Sequence, residues 1–470
     1  MARKAKLAPV KSAYQLFIDG RRKSLIPTGI EPPVLNRGLL PHQNHSVEFA
    51  LRLGRAALFL DTGLGKSFCA LEWARCVADH TGLPVLILTP LAVAPQFVRE
   101  GQKFGIECRH VREAYQVGPG VMVANYERLD RFDGVTFGGV VLDESSILKA
   151  FNGRTRQALT DRFSATPFRL ACTATPAPND YMELGNHAEF LGVMTGQDML
   201  QRWFINDTAE ASQEWRLKGH AVIDFWDWVC SWAMCVSSPA DLGYDAAAYV
   251  LPELREVTHE VATDMTAEAD GALFRMAGIS ATNMHREQRF SLAERVERIT
   301  RLVAAEPAEP WIVWCETDAQ ADALRQSMPE AVEVRGSHAP EVKEERLMGF
   351  ADGRHRVLIT KARIAGHGLN FQHCARMAFV ALSFSYEAYY QAVRRCWRFG
   401  QTRPVHSHLI SSDGEASIFA AIRRKAEQHL GMKDEMRAAA RRANARASAV
   451  RRAYAAEHRA PVPQWLRTAS

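Results

Sequence analysis

The residues best suited to chemistry cluster just after position 60. An apolar run, Ala57–Leu60, leads directly into Asp61-Thr-Gly-Leu-Gly-Lys-Ser67, and a helix-compatible run, Phe68–Val77, follows. Strand, glycine loop and helix in that order make a phosphate cradle. Gly63 and Gly65 let backbone N–H groups curl round phosphate oxygens, with Thr62 and Leu64 completing the loop. The helix start adds its positive end, Lys66 reaches the β- and γ-phosphates, and Ser67 ligates Mg²⁺. The generic pattern opens on a glycine where this chain has Leu60, so a plain glycine turn is the competing reading. A second apolar run, Val140–Leu142, delivers Asp143-Glu-Ser-Ser146 at its C-terminal end, where an α/β sheet gathers its active groups. Phosphoryl transfer needs charge neutralised and a water positioned, so Asp143 would hold Mg²⁺ and Glu144 would orient and deprotonate the water. Taken alone, that tetrapeptide also reads as a solvated acidic turn.

Two α/β regions would position these groups. Short apolar runs alternating with helical patterns are the mark of parallel sheets covered by helices. In the first region the expected strands are Ala57–Leu60, Val85–Leu88, Val121–Val123, Val140–Leu142 and Arg169–Thr173. In the second they are Trp311–Trp314, Val357–Thr360, Arg376–Val380 and Val405–Ile410. Between them, over about 191–285, the alternation breaks into an aromatic-rich insertion or linker. Phe225, Trp228 and Trp232 stand three and four residues apart, so one helical face explains them as core, with a base-stacking platform as the alternative. After about residue 430 an Ala/Arg-rich stretch runs to Pro461 and Pro463 and reads as an exposed helix.

Composition narrows the class. With 470 residues and 47 % hydrophobic content, the chain has enough apolar material for two cores and is not mainly disordered. Net charge is +5, but residues 421–470 carry twelve Lys/Arg against four Asp/Glu, which leaves the remainder of the chain acidic. Residues 1–25 are basic too, through Arg3, Lys4, Lys6, Lys11, Arg21, Arg22 and Lys23. Either end could meet nucleic-acid phosphates or simply be solvated. Nine scattered cysteines with no Cys-x-x-Cys pair fit no disulfide framework, and a reducing cytoplasm is expected. His373-Cys374 and Cys230/Cys235 lack a second pair at zinc spacing, so no structural metal is expected. The longest apolar runs are strand-sized, so neither an export signal nor a membrane span is expected.

The order of motifs across residues 36–415 resembles the superfamily 2 DEAD/DEAH-box-type helicases, and within them the Swi/Snf-like ATPase branch. Leu39-Leu-Pro-His-Gln43 is similar to the segment that meets adenine, which makes Gln43 the adenine reader. Leu88-Thr-Pro90 through Phe97 and Glu100, and Asn125-Tyr-Glu-Arg128, resemble strand-tracking motifs. Thr173-Ala-Thr-Pro176 resembles the motif that couples hydrolysis to movement through Thr173 and Thr175. Gly366-His-Gly-Leu-Asn-Phe371, with Gly368 at the nucleotide and Asn370 at the nucleic acid, is similar to the fifth motif. Gln391-Ala-Val-Arg-Arg-Cys-Trp-Arg-Phe-Gly-Gln401 matches the sixth, except that Arg394 replaces a glycine. By that resemblance Gln391 belongs to the coupling set, Arg398 is the finger on the γ-phosphate, and Arg395 supports it. Such a finger is typically worth ~10³–10⁵ in rate.

The resemblance implies two RecA-like lobes, at 36–190 and 286–430, between a basic arm (1–35) and a basic helical tail (431–470), with the 191–285 insertion in the place of Swi/Snf-type helical insertions. It implies ATP and Mg²⁺ as cofactors and movement along double-stranded DNA by sequence-independent backbone contacts, with protein partners open. Ser146 departs from the His that commonly closes the acidic box, which alters the link from ATP state to lobe closure and not the hydrolysis. Ser385-Tyr-Glu387 before the Gln-Ala pair resembles bacteriophage-encoded helicases, whose location would be the host cytoplasm. Two alternatives stand beside this: a strand-separating DNA or RNA helicase, and a nucleic-acid-binding scaffold with a degenerate nucleotide site.

Overall fold

The apolar runs form strands buried on both faces, as parallel sheets require. The computed structural model describes residues 28–449, apart from 91–92, 150–152, 178–179, 207–214, 263–287, 366–369, 384 and 413–414. The first lobe contains β1 (Arg55–Leu60), β2 (Val85–Thr89), β3 (Cys108–His110), β4 (Val121–Asn125), β5 (Gly139–Asp143) and β6 (Phe168–Cys172). A small antiparallel hairpin, β7 (Phe204–Asn206) with β8 (Trp215–Leu217), precedes β9 (Ala233–Val236), which joins the first sheet. That sheet is wholly parallel in the order β3-β4-β2-β5-β6-β1-β9. The second lobe holds β10 (Leu254–Val261), β11 (Trp311–Trp314), β12 (Val332–Val334), β13 (Val357–Thr360), β14 (Arg376–Phe379) and β15 (Val405–Ser412). Its order is β10-β15-β14-β11-β13-β12, again all parallel. Each sheet carries an apolar cluster on either face, which makes two RecA-like lobes.

Register places the chemistry. In the first sheet β5, β6 and β1 are neighbours, with Asp143 level with Cys172 and Leu58 level with the same Cys172. The loop after β1, the end of β5 and the turn after β6 therefore emerge side by side at the C-terminal edge, the customary ligand edge of a parallel sheet.

Two expectations change. The span 191–285 is not set apart from the lobes, because β9 adds a strand to the first sheet and β10 adds one to the second. On helix Val222–Trp232, Phe225 and Trp232 are fully buried in the first-lobe core and Trp228 is half-buried against Trp203 (ring centroids 4.6 Å apart), so this face packs as core, the first of its two readings. The expected exposed tail helix is instead part of one helix, Ala416–Ala449, about 50 Å long at 1.5 Å per residue. Ile418 and Ile422 sit in the second-lobe core, whereas Met432, Met436, Ala439 and Ala440 sit in the first. Burying a side chain such as Met436 stabilises by roughly 1.5–3 kcal/mol, which is why this face is not left to solvent. Arg437 to Asp241 (3.0 Å) and Arg442 to Asp227 (2.9 Å) tie the polar flank of the same stretch down. The basic residues of 1–27 and those of 450–470 lie outside the described residues. Among the described residues no helix is long and apolar enough to cross a membrane.

Candidate active site

The phosphate loop follows β1 at once. Gly63 (φ 92°) and Gly65 (φ 84°) both adopt the left-handed backbone that side chains resist, and Gly65 caps the helix Lys66–Thr81. Each is also crowded. A Cβ on Gly65 would lie 2.1 Å from Gln43 Nε2, and one on Gly63 would lie 2.7 Å from the Cβ of Phe399 in the second lobe. Gln43 Nε2 donates to Leu64 O (3.1 Å) while its Oε1 accepts from Leu40 N (3.0 Å), so this side chain grips the loop itself. Lys66 Nζ donates to Leu60 O (2.9 Å) and Asp61 O (3.4 Å), carbonyls for which phosphate oxygens would substitute. Burial pulls the Lys66 pKa down, and Glu144, Asp61 and Asp143 work against that. Thr62 N donates to Asp61 Oδ1 (2.7 Å), and Ser67 is half-buried in the first turn of the helix.

The acidic pair sits beside this loop. Asp143 ends β5, and Glu144 is the one non-glycine residue with positive φ (54°) among the described residues. Such strain is kept where the surroundings fix a functional side chain. Burial, followed by the neighbouring Glu144, pushes the Asp143 pKa up to about 8, with Lys66 and Arg395 pulling the other way. Asp143 is buried and Glu144 half-buried beside it, with Lys66 and Arg395 as their cations, and a divalent cation held by Asp143 and Ser67 would relieve the repulsion between the two carboxylates. Thr173 Oγ1 donates to Glu144 Oε2 (3.4 Å) and accepts from Thr175 N (3.1 Å), which couples the turn after β6 to the water-activating position. Ser145 Oγ pairs with the buried His187 Nε2 (3.1 Å), and Ser146 is buried.

The second lobe approaches through the helix Tyr386–Val393 and the turn after it. Gln391 Nε2 donates to Thr175 Oγ1 across the cleft (3.3 Å). Arg395 Nε and NH2 donate to the O and Oε1 of that glutamine (3.1 and 3.0 Å), which orients the guanidinium. Burial lowers the Arg395 pKa, while Glu144 and Asp143 raise it, as their electrostatic reach to the arginine requires. Arg398 is pushed down to about 10 by burial and by Arg395 and Arg394, with Glu100 opposing. Crowded guanidinium groups in a dry cleft favour an anion. Together with Phe399 against Gly63, this brings Gln43, Thr62, Gly63, Leu64, Gly65, Lys66, Ser67, Asp143, Glu144, Thr173, Thr175, Gln391 and Arg395 to one seam, with Arg398 on the same turn.

Two further predicted residues stand outside these contacts. Asn125 is buried, its Nδ2 donating to Pro90 O (3.2 Å), so it joins the ends of β4 and β2. Asn370 is exposed, with its Oδ1 accepting from Gln372 N (3.2 Å). Gly368 lies outside the described residues. Sequence reasoning missed Tyr390, Lys433 and the cleft-spanning pair Lys149–Glu387 (2.5 Å). Arg394 was legible only as a departure from a motif, although a carboxylate at Asp61 inside a phosphate loop signals the need for a nearby cation.

The family model for the helicase conserved C-terminal domain matches residues 294–400, from inside the helix Leu292–Ala305 through β11–β14 to the arginine-bearing turn. No curated protein matches the chain. The matched domain supports a superfamily 2 helicase-type protein.

Proposed function

We propose, from a helicase C-terminal domain seated on a phosphate-loop lobe, that the protein is an ATP hydrolase of the Swi/Snf-like branch that moves along double-stranded DNA. The observation that carries this is the apposition at Gly63: the turn holding Arg395, Arg398 and Phe399 lies directly on the loop holding Lys66. In this reading Lys66 leaves its two carbonyls for the β- and γ-phosphates, and Glu144, held by Thr173, orients and deprotonates the attacking water. Arg395 and Arg398 stabilise charge on the transferred group from the opposite side. Mg²⁺, bound with ATP at Ser67 and Asp143, would supply charge neutralisation between the phosphates. ATP favours the closed arrangement, so hydrolysis and release shift the lobes, and the Gln391–Thr175 contact carries the shift across the cleft.

The test measures ATP hydrolysis in parallel with single-stranded, duplex and branched DNA and with RNA, beside third-strand displacement and duplex unwinding. Duplex DNA should stimulate most, with third-strand displacement and no melting. Lys66→Ala should abolish stimulated hydrolysis while sparing much of the DNA binding. Unwinding without third-strand displacement would replace this reading with a strand-separating helicase, and a rate flat with every nucleic acid would leave a binding scaffold.

A further inference from the structure

Asp61 sets a carboxylate at the head of the phosphate loop. A fixed carboxylate beside an arriving triphosphate repels it, weakly in water and more strongly at protein-like dielectric. The structure shows how that charge is absorbed. Asp61 Oδ1 accepts from Tyr390 OH (2.9 Å), Arg394 NH2 (3.1 Å) and its own neighbour Thr62 N (2.7 Å), and Oδ2 accepts from Lys433 Nζ (2.9 Å). Lys433 also donates to Tyr390 OH (2.8 Å), and Arg394 NH2 donates to Thr62 O (3.0 Å). The carboxylate and the lysine are 14 % and 16 % exposed, so these are dry, charge-assisted bonds.

Three separate stretches of chain meet at this one side chain. Asp61 belongs to the loop of the first lobe, Tyr390 and Arg394 to the helix and turn of the second, and Lys433 to the long C-terminal helix. That helix is anchored on the first lobe immediately beyond Lys433 by Met436 and by the Arg437–Asp241 pair. Lys433 is thus held firmly on the Asp61 side while Arg394 is drawn to it from across the cleft. The next residue after Arg394 is Arg395, so whatever pins Arg394 also sets the register of the catalytic guanidinium.

We propose that Asp61, Tyr390, Arg394 and Lys433 form an interlobe clasp that seats the arginine-bearing turn on the phosphate loop before nucleotide arrives, which makes Lys433 and Asp61 positioning residues for hydrolysis. Arg394, where related motifs carry a glycine, is the second lobe's share of that clasp. This rests on the ATPase reading above.

The experiment uses the full chain with Lys433→Met, Lys433→Arg and Asp61→Asn, which keep side-chain volume. The first readout is kcat and KM for ATP at saturating nucleic acid. Misplacing a reacting group by about 1 Å costs up to roughly 10²-fold, so Lys433→Met should lower kcat by about tenfold or more with KM changed less than about threefold. Lys433→Arg should retain most of kcat. Asp61→Asn should lower kcat without raising KM, since it also removes repulsion, and the double variant should be no worse than the poorer single one because both break the same contact. The second readout needs no turnover: distances between labels on Leu83→Cys and Asp352→Cys in nucleotide-free protein. Those positions are 40 % and 55 % exposed, whereas all nine native cysteines are buried and will not compete. Lys433→Met should lengthen or broaden that distance. Unchanged kcat together with an unchanged distance in both Lys433→Met and Asp61→Asn overturns the clasp, as does a loss confined to thermal stability. If the parent protein hydrolyses no ATP, the functional reading fails and the distance measurement alone decides the clasp.

Discussion

The two lobes hold their shares of the candidate site by different means. In the first, the groups sit at ends of adjacent strands, and backbone geometry places them: left-handed Gly63 and Gly65, and the strained Glu144 at the end of β5. In the second, Arg395 depends on side chains. It is oriented by Gln391, which itself reaches over to Thr175, while its neighbour Arg394 is fastened to Asp61. The first half-site therefore exists in the lobe alone, whereas the second is complete only when the lobes meet. Nucleotide binding should belong mainly to the first and rate to the second.

The sharpest way to break that division is to compare Arg398→Ala with Lys66→Ala. Arg398→Ala should reduce single-turnover hydrolysis by ~10³ and leave affinity for a fluorescent ATP analogue within a few-fold. Lys66→Ala should lose much of the affinity itself. If both variants weakened binding equally, the arginine would be a ground-state ligand and the asymmetry between the lobes would be gone.

A smaller effect probes the point of contact. At Gly63 an added methyl meets both a positive φ and the Phe399 backbone, whose N would be 3.1 Å away and cannot swing aside as a side chain could. Gly63→Ala should cost about 1–3 kcal/mol in the transition state, or roughly 5–150-fold in kcat/KM. Gly82→Ala makes the control: φ is +66° there too, but nothing lies within 4 Å, so activity should be unchanged while stability drops by about 1 kcal/mol. Equal losses from the two would mean that the turn does not bear on the loop.

The same asymmetry explains what was legible in the chain. Backbone-placed chemistry is local, so Asp61–Ser67 and Asp143-Glu144 stand out as short strings, and buried parallel strands such as Val85–Thr89 read as unbroken apolar runs. Strands at the sheet margins did not stand out. Cys108–His110 and Val332–Val334 have three residues each, and Ala233–Val236 follows the helix Val222–Trp232 with no turn residue between them. Leu254–Val261, largely exposed and mixing Arg255, Glu256 and His259 with apolar residues, pairs only at a sheet edge. Lys433 had no local signature at all, because its partner Asp61 lies 372 residues away. Long-range side-chain contacts are set by packing of the assembled lobes, and no periodicity encodes them.

The last test is the gentlest and compares two buried histidines, one within a lobe and one at the seam. His187 in the first lobe has both ring nitrogens engaged, with Ser145 Oγ (3.1 Å) and Glu183 O (3.3 Å). His429, on the long helix between Tyr386 and Tyr390, has neither nitrogen hydrogen-bonded. Burial lowers both pKa values, to about 4 for His187 and about 3 for His429, where Lys433 and Arg394 lower it further and Asp61 opposes. Since both folded-state values lie below the ordinary 6.5, the unfolded chain takes up protons first as pH falls. Their stability contribution is whole above about pH 6.5 and declines from there down to about pH 4 for His187 and about pH 3 for His429, by on the order of 2 kcal/mol per histidine at pH 5. His429→Phe keeps an aromatic ring in the slot and removes two orphaned polar atoms, so it should raise the melting temperature at pH 7.5 slightly and at pH 5 more. His187→Phe, which strands Ser145, should lower it at pH 7.5 and recover part of that loss at pH 5. Melting curves of both variants at the two pH values decide it: a His429→Phe protein as acid-sensitive as its parent would mean that this ring is protonated in the fold, and the seam would be wetter than the lobe interior.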